Sequence, residues 1–351
     1  MSVSRSVGGI TLEVAVERWP IAGRFTIARG SRTEAVVVVV TLRSGDVIGR
    51  GECVPYARYG ESIESVVAQI EGQRRLIEGI GADRDVLHGR GATSPVDAVR
   101  QSLQYALPAG AARNALDCAC WDLEAKLTGV PVYERVGVAP PAPVITAYTL
   151  SLGTPDEMAA AAIVAQHRPV LKIKLGGEGD AARIRAVRAA APGATLIVDA
   201  NESWRAHLLA QNLAACEAAD VALIEQPLPA GEDAILDEVR TPIPLCADES
   251  VHDRGTLEYL ADRYQAINIK LDKTGGLTEA LALAGEAKGL GLTLMVGCML
   301  GTSLAMAPAL LLAADAAFID LDGPLLLAKD RVPGLAFEGS TIIPADPRLW
   351  G

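Results

Sequence analysis

Three carboxylate residues end or follow short apolar segments in the second half of the chain. Asp199 ends TLIVD, Glu225 ends VALIE, and Asp248 follows IPLCA. The whole chain has only four histidines. Because Mg²⁺ and Mn²⁺ prefer carboxylate oxygens whereas zinc favours nitrogen and sulfur, carboxylates that converge here would make an all-oxygen site for Mg²⁺ or Mn²⁺.

Three lysines lie in segments of the same kind. Lys172 and Lys174 are two positions apart in VLKIK, so on a strand both side chains point to one face. Lys270 ends the segment AINIK and should approach from the opposite wall. We expect a divalent cation and neighbouring ammonium groups to lower the pKa of such a lysine, as a general base requires. Two bases on opposite faces could remove the α-proton of a carboxylate substrate and return it on the other side, while the cation offsets the second negative charge.

The segments that carry these residues repeat along the chain. Eight apolar strand candidates alternate with Ala-, Leu- and Glu-rich stretches: PVITAYTL, PVLKIKL, TLIVDAN, VALIEQP, IPLCADE, AINIKL, LTLMVG and AFIDLDG. Landmark residues near the ends of strands two to eight are 22 to 27 positions apart: Lys174, Asp199, Glu225, Asp248, Lys270, Gly297 and Asp320. One strand, one helix and two loops fill such a spacing. We predict an α/β fold whose parallel strands close into a barrel, with the site at their carboxyl ends; a doubly wound open sheet is the alternative.

The rest of the chain predicts a smaller domain. Residues 10–54 contain the β-branched run VVVVVTL and turn residues, which indicate an antiparallel meander, and residues 61–127 show helical periodicity. Glycines and prolines after Asp322 leave no room for a long eighth helix. We therefore predict a (β/α)7β modified TIM barrel over residues 140–324. An N-terminal α+β capping domain should cover residues 1–130, and the tail 325–351 should return to it.

Composition narrows the classes of partner. The chain has 351 residues, of which 50% are hydrophobic and 21% are charged, as in folded globular proteins. A net charge of −11 disfavours nucleic acid and anionic membrane surfaces. The first residues lack the apolar run of a signal peptide, and no apolar stretch approaches the roughly 20 residues that span a bilayer. Six scattered cysteines without a Cys-x-x-Cys pair fit a reducing compartment. We predict a cytoplasmic protein that acts on a small molecule; the oligomeric state stays open.

Five motifs in order carry a family resemblance: KIKLG, DANESW, LIEQP, ADES and INIKLDKTGG. With the helix AARNALDCACWDLEAK and the N-terminal FTIARGSRTEA and GECVPYARYGES, they resemble the muconate-lactonizing branch of the enolase superfamily over nearly the whole chain. Within that branch the chain is similar to bacterial dipeptide epimerases. The resemblance implies a 1,1-proton transfer at the α-carbon of a dipeptide's C-terminal residue. The family's reaction converts L-Ala-L-Glu to L-Ala-D-Glu, which is useful in recycling murein peptides.

The resemblance also implies roles for the chemical residues. The three carboxylates at positions 199, 225 and 248 would bind the metal. Lys174 and Lys270 would be the two acid/base residues. Lys172 would bind the substrate carboxylate and lower the pKa of its neighbour. Asp320 and Asp322 match the pair that holds the substrate's α-ammonium group, and two carboxylates on one strand face make a compact cation site.

A C-terminal glutamate also needs a cation for its side-chain carboxylate. The loop of residues 23–32 offers Arg24, Arg29 and Arg32, of which the family pattern favours Arg29. This loop could close over the barrel mouth and exclude water. We expect its shape, with residues near Met299 and Thr302, to set which dipeptides are accepted.

Two other functions are consistent with parts of the pattern. A cycloisomerase, an o-succinylbenzoate synthase or an acid-sugar dehydratase would keep the fold and the metal, but their substrates lack the ammonium group that Asp320 and Asp322 would bind. A non-catalytic metal-binding scaffold would keep only the barrel. It is disfavoured because every expected catalytic position is filled.

Overall fold

The capping domain begins with a three-stranded antiparallel sheet. The computed structural model describes residues 9–80 and 92–351. Strands β1 (Ile10–Ile27), β2 (Gly30–Ser44) and β3 (Val47–Cys53) lie in that order. Alternate valines of β2 are buried in two different cores: Val38 and Val40 pack inside the capping domain, whereas Val37 and Val39 belong to the cluster shared with the barrel. The predicted meander is therefore confirmed, and the unbroken valine run is explained by burial of both faces.

Five helices complete the capping domain: α1 (Ile63–Gly72), α2 (Arg74–Ile80), α3 (Pro95–Ala106), α4 (Ala111–Thr128) and α5 (Val132–Val136). Helix α4 is central and is buried along most of its length. It lies directly on β3, where a Cβ atom added at Gly51 would be 2.1 Å from the backbone oxygen of Ala115. A residue with a side chain at this position would push the helix away from the sheet.

Eight parallel strands form the second unit, in the order in which they occur in the chain. They are β5 (Tyr148–Leu150), β6 (Val170–Lys174), β7 (Thr195–Asp199), β8 (Val221–Glu225), β9 (Leu245–Ala247), β10 (Ala266–Ile269), β11 (Thr293–Gly297) and β12 (Phe318–Asp320). The first and last strands meet where the Ala147 N–H donates to the Ile319 oxygen at 2.8 Å. The sheet is thus a nearly closed barrel, as predicted, and not an open doubly wound sheet.

The helices around the barrel are less regular than the strands. They are α6 (Pro155–Ala165), α7 (Asp180–Ala190), α8 (Ala206–Ala218), α9 (Leu257–Ala261), α10 (Leu271–Thr274), α11 (Leu277–Gly289), α12 (Ser303–Ala309) and α13 (Gly323–Leu326). Between β8 and β9 the chain forms only a 3-10 helix at Ala234–Glu238, so the predicted α-helix there is wrong. Pro227, Pro229 and Gly231 interrupt that connection. After β12, α13 is a single turn, which confirms that a long eighth helix is missing.

The C-terminal tail contacts both units. Strands β13 (Phe337–Glu338) and β14 (Thr341–Ile342) form a hairpin that pairs with β4 (Val144–Ile145). The segment PVITAYTL is therefore two strands, of which only β5 joins the barrel. The Trp350 indole nitrogen donates to the Cys118 oxygen on α4 at 3.0 Å. Among the described residues, no helix has the length and apolar character needed to cross a membrane.

Candidate active site

Strand register brings the predicted chemical residues to one end of the barrel. Lys174 is the Cα partner of Asp199 across β6 and β7, and Asp199 is the partner of Glu225 across β7 and β8. Asp248 and Lys270 come directly after β9 and β10. All five side chains are buried. The carboxyl ends of five neighbouring strands thus place these groups together, as expected of a barrel active site.

Lysine ammonium groups lie among the carboxylates. Lys172 Nζ is 2.6 Å from Glu225 Oε2, 2.6 Å from Asp320 Oδ2 and 3.3 Å from Asp199 Oδ2.

The two predicted acid/base lysines flank this centre. Lys174 Nζ lies 2.5 Å from Asp199 Oδ2, and Lys270 Nζ lies 2.6 Å from Asp248 Oδ2. They therefore stand beside different carboxylates, on β6 and after β10, with β7, β8 and β9 between them in the sheet.

The donor set fits a hard divalent cation. Asp199, Glu225 and Asp248 supply only oxygen atoms, and Glu225 Oε2 receives no hydrogen bond of good geometry from the described residues although Lys172 is near. As these side chains lie, the described residues contain no group of three acidic, cysteine or histidine side chains that encloses an ion. The lysines instead share the carboxylate oxygens. The predicted set is thus gathered in one place, with its oxygens engaged by ammonium groups.

The charges of the site shift its pKa values. Burial raises the pKa of Glu225, and repulsion from Asp199 adds to this, giving about 7. For Asp199, burial is outweighed by Lys174 and Lys172, so its pKa is lowered below the ordinary range. Burial lowers the pKa of Lys270, but the attraction of Asp248 and Glu225 is stronger, so among these side chains alone the pKa is raised. The lowered pKa expected beside a divalent cation stays a prediction.

Asp320 and Asp322 lie at the end of β12, facing the same centre. Asp320 Oδ2 accepts from Lys172, while Asp320 Oδ1 is buried without a partner among the described residues. Asp322 Oδ2 accepts from the Thr149 N–H at 2.6 Å. Burial and the neighbouring Asp320 raise the pKa of Asp322 to about 7. Neither aspartate is among the residues that line the cavity described next.

A cavity of about 470 Å³ lies between the two domains at this barrel end. Its barrel side includes Lys174, Lys270 and Met299, and its capping side includes Phe25 and Tyr59. Both predicted acid/base lysines therefore reach the same space. The volume suits a small molecule.

Arg29 does not present a free cation to this cavity. Its guanidinium donates to Glu249 Oε1 at 2.5 Å, to Glu202 Oε2 at 3.1 Å and to the Asn201 oxygen at 2.9 Å. The Tyr56 hydroxyl accepts two further hydrogen bonds. Its donors are thus occupied by the protein, which argues against Arg29 as the group that binds a substrate side chain.

Residues 23–32, predicted as a loop, are the ends of β1 and β2 and the turn between them. Arg32 lies on β2 of this hairpin. It lines the cavity and is exposed. In the part of the chain that the structure describes, no ion pair to Arg32 is found; its guanidinium carbon lies 5.9 Å from the Tyr56 ring centre. Arg24 does not line the cavity; it lines a neighbouring surface depression, which Arg32 also lines.

Met299 and Thr302 have different surroundings. Met299 lines the cavity. Thr302 is fully buried, and its hydroxyl donates to Glu52 Oε2 at 2.5 Å and accepts from Arg331 at 2.6 Å. Its N–H also donates to Glu52 Oε1. Thr302 is not among the residues that line the cavity. Its hydroxyl also accepts from the Leu304 N–H and so caps the start of α12.

Sequence reasoning missed two residues that hold carboxylates of the centre, Asn268 and Lys273, and one further carboxylate beside it, Glu249. Asn268 Nδ2 donates to Glu225 Oε1 at 2.8 Å, Lys273 Nζ lies 2.5 Å from Asp248 Oδ1, and Glu249 pairs with Arg29. A usable signal was present for two of them, because Asn268 is two positions before Lys270 on the same strand face and Lys273 is one turn after it.

A barrel with lysines and carboxylates at the carboxyl ends of its strands, under a capping domain, defines a protein of the enolase type. Residues 9–137 match the model of the mandelate racemase / muconate lactonizing enzyme N-terminal domain, and residues 156–324 match the enolase C-terminal domain-like model. The chain belongs to the mandelate racemase / muconate lactonizing enzyme family of the enolase superfamily. The family resemblance predicted from the five motifs is confirmed.

Two characterised relatives are similar over almost their whole length. The L-Ala-D/L-Glu epimerase of Escherichia coli is 50% identical over 329 residues, which are 93% of this chain and 97% of that protein. The N-acetyl-D-glutamate racemase of a Pseudoalteromonas species is 45% identical over 315 residues, which are 90% of this chain and 95% of that protein. Both relatives are named as isomerases of amino-acid derivatives.

Two solved structures show the same fold. An enolase family member from Agrobacterium tumefaciens, with bound sodium and L-Ala-L-Glu, is 54% identical and gives a TM-score of 0.91 over 97% of this chain and all of that one. A dipeptide epimerase from Cytophaga hutchinsonii, complexed with Mg and D-Ala-L-Val, is 26% identical, with a TM-score of 0.86 over 96% of this chain and 93% of that one. The fold class predicted from the sequence is confirmed.

Proposed function

We propose that this chain is a Mg²⁺-dependent dipeptide epimerase that moves a proton at the α-carbon of the substrate's C-terminal residue. The observation that carries the proposal is that Lys174 and Lys270 reach one cavity from opposite sides of the carboxylate centre. The characterised epimerase at 50% identity supports the reaction class. The substrate we favour is L-Ala-L-Glu, converted to L-Ala-D-Glu in the recycling of murein peptides.

The carboxylate centre would help the substrate to lose its α-proton by holding a metal ion. Asp199, Glu225 and Asp248 would hold Mg²⁺, which when bound supplies Lewis-acid stabilisation of the substrate carboxylate as negative charge builds up on it. Lys172, with its ammonium fixed by Glu225 and Asp320, adds a fixed positive charge beside the same carboxylate. Fixed charges in a buried site stabilise such a transition state without reorganisation.

The two flanking lysines move the proton. The neutral amine of one lysine accepts the α-proton, and the protonated amine of the other delivers a proton to the opposite face, which inverts the carbon. For the reverse reaction the roles exchange. Asp199 and Asp248 orient the two Nζ atoms through short hydrogen bonds, so each lysine is placed before substrate enters.

Substrate selection would use two charged groups apart from the reacting centre. Asp320 and Asp322 would accept from the α-ammonium group of the dipeptide; the free Oδ1 of Asp320 supports this assignment. Arg32 would bind the side-chain carboxylate of a C-terminal glutamate, since it faces the cavity without an ion pair in the described chain. Met299 would limit the room for that side chain.

A second candidate is racemisation of an N-acylated glutamate. The relative at 45% identity is named for N-acetyl-D-glutamate, and N-acetylglutamate differs from a dipeptide mainly by lacking the ammonium group. The same lysines would serve, but Asp320 and Asp322 would have no cation to bind. We therefore rank the dipeptide first.

A substrate panel tests this ranking. With Mg²⁺ present, inversion of L-Ala-L-Glu and of N-acetyl-L-glutamate, and dehydration of an acid sugar, would be followed by chiral chromatography. We expect kcat/KM to be greatest for L-Ala-L-Glu. Greater kcat/KM for N-acetyl-L-glutamate would reverse the ranking, and dehydration of the acid sugar alone would overturn the proposal.

A further inference from the structure

Lys273 is a fully buried lysine that takes no part in the proposed proton transfer. Its side chain is 0% exposed. Its Nζ lies 2.5 Å from Asp248 Oδ1, 2.5 Å from the Asp248 backbone oxygen and 2.9 Å from the Asn268 oxygen. All three protons of the ammonium group are therefore taken by fixed acceptors.

Two lysines thus bind one carboxylate from different sides. Lys270 takes Asp248 Oδ2, whereas Lys273 takes Asp248 Oδ1 and the backbone of the same residue. Lys270 lines the cavity, and Lys273 is not among the residues that do. Lys273 therefore cannot meet substrate from its place, and a role as a third acid or base is excluded by position.

The turn that carries Lys273 is itself held by the capping domain. Helix α10 ends at Gly275, which has a left-handed backbone with φ 74°. The Arg113 guanidinium, from α4, donates to the Thr274 oxygen at 2.7 Å and to the Gly275 oxygen at 3.2 Å. Arg113 thus fixes the end of α10 from outside the barrel, and Lys273 has little freedom to move away from Asp248.

We propose that Lys273 is a positioning residue of the divalent-cation site, which keeps the Asp248 carboxylate in one orientation by holding its Oδ1 atom and its backbone. The inference rests on the metal site of the proposed function. Groups that orient a metal ligand typically change metal affinity or activity about 10- to 100-fold when they are removed. Lys273 has the contacts of such a group.

Loss of the Lys273 charge and loss of the Asp248 orientation would change the affinity for a divalent cation in opposite directions. The role of Lys273 can therefore be tested. A cation near the site repels a dication, so loss of the Lys273 charge alone would tighten binding. Loss of orientation would weaken it, because Asp248 and two backbone oxygens would lose a buried donor and the carboxylate could turn. We expect orientation to dominate, because a single Nζ atom joins three fixed groups.

The test is the affinity of the full-length chain for Mn²⁺ after removal of divalent cations with EDTA and dialysis. Free Mn²⁺ would be counted by electron paramagnetic resonance, which needs no substrate or turnover. The variants are Lys273→Met and Lys273→Gln; the glutamine keeps an amide donor and nearly the same length. Lys126→Met is the matched control, since Lys126 Nζ also pairs with a buried carboxylate, at 2.7 Å from Asp122 Oδ2, but lies on α4 in the capping domain. Thermal unfolding by circular dichroism identifies folded variants.

We expect Lys273→Met to bind Mn²⁺ about 10- to 100-fold more weakly than wild type, Lys273→Gln to lie between them, and Lys126→Met to match wild type. If Lys273→Met does not fold, the Mn²⁺ affinity of Lys273→Gln tests the positioning role. Affinity in the folded Lys273 variants that is unchanged or tighter would overturn the positioning role. Failure of wild type itself to bind Mn²⁺ would instead overturn the metal site of the proposed function.

Discussion

The Arg29 guanidinium on the capping domain lies 2.5 Å from the Glu249 carboxylate, which is the residue next to Asp248 in the barrel. The same guanidinium donates to the backbone oxygen of Asn201, two residues after Asp199. One side chain thus ties the capping loop to both barrel loops that follow two of the predicted metal ligands. Arg29 therefore joins the capping domain to the barrel beside the cavity.

Arg29→Gln should impair closure without removing any acid or base. Hydrogen bonds to charged groups contribute about 1.5–3 kcal/mol, so kcat/KM for L-Ala-L-Glu should fall roughly 10- to 100-fold. Steady-state polarimetry measures this. Arg18→Gln, which removes an exposed ion pair with Glu34, should behave as wild type. A kcat/KM of Arg29→Gln within twofold of wild type is incompatible with a role of Arg29 in joining the capping domain to the barrel for catalysis.

Arg32→Met should change specificity and not chemistry. If Arg32 binds the glutamate carboxylate, kcat/KM for L-Ala-L-Glu should fall about 10- to 100-fold, while kcat/KM for L-Ala-L-Met should stay within threefold. Arg24→Met, on β1 of the same hairpin but outside the cavity, serves as the control. Equal losses for both substrates would show that Arg32 acts on the fold of the loop and not on the side chain of the substrate.

Lys174→Ala and Lys270→Ala should each abolish epimerisation, with losses of at least about 10²- to 10⁴-fold from the missing acid or base. Each variant should still exchange the α-proton of one epimer with solvent, because the remaining lysine faces one side of the carbon. Proton NMR in D₂O, started from each pure epimer, separates the two faces. Exchange from both epimers in either variant would contradict a two-base mechanism.

Asp272 predicts a pH dependence of stability. Burial raises its pKa from an ordinary value of 3.8 to about 7 in the folded chain. Between about pH 4 and pH 7 the folded state therefore binds more protons than the unfolded state, so this residue's contribution makes the free energy of unfolding fall as pH rises. Asp272→Asn should remove that contribution, which is at most about 4 kcal/mol.

Urea unfolding between pH 4 and pH 8 measures this effect. The asparagine would keep the acceptor oxygen for the Val54 N–H and the Asn114 amide, which Oδ1 now serves. The free energy of unfolding of Asp272→Asn, relative to wild type, should rise across the interval. Surface replacement of Asp46 by Asn is the control. A difference that stays constant with pH would mean that Asp272 is ionised throughout.

The barrel and the residues at its carboxyl end could be predicted from the sequence, because the patterns that indicate them are local. Lys172 and Lys174 share a face by strand periodicity alone, and regular spacing assigns Asp199, Glu225 and Asp248 to successive strand ends. The connection after Glu225 departs from the repeat, because Pro227, Pro229 and Gly231 interrupt it and only a 3-10 helix forms.

The remaining site details depend on contacts between distant segments. No local sequence pattern predicts that Arg29 binds Glu249, 220 positions away, or that Thr302 binds Glu52, 250 positions away. The preference for Arg32 over Arg29 therefore rests on contacts across the domain boundary, where the Arg29 guanidinium meets Glu249 and Glu202. The pKa of Lys270 likewise depends on which carboxylates surround it in the folded chain.

The proposed function requires metal-dependent inversion at the α-carbon by two lysines. Its most direct test is proton NMR of L-Ala-L-Glu in D₂O with the full-length chain and Mg²⁺, beside an identical sample with excess EDTA. We expect loss of the glutamate α-proton signal and growth of the D-epimer signals with Mg²⁺, and neither change with EDTA. Persistence of the α-proton signal with Mg²⁺, or equal exchange in EDTA, would contradict it.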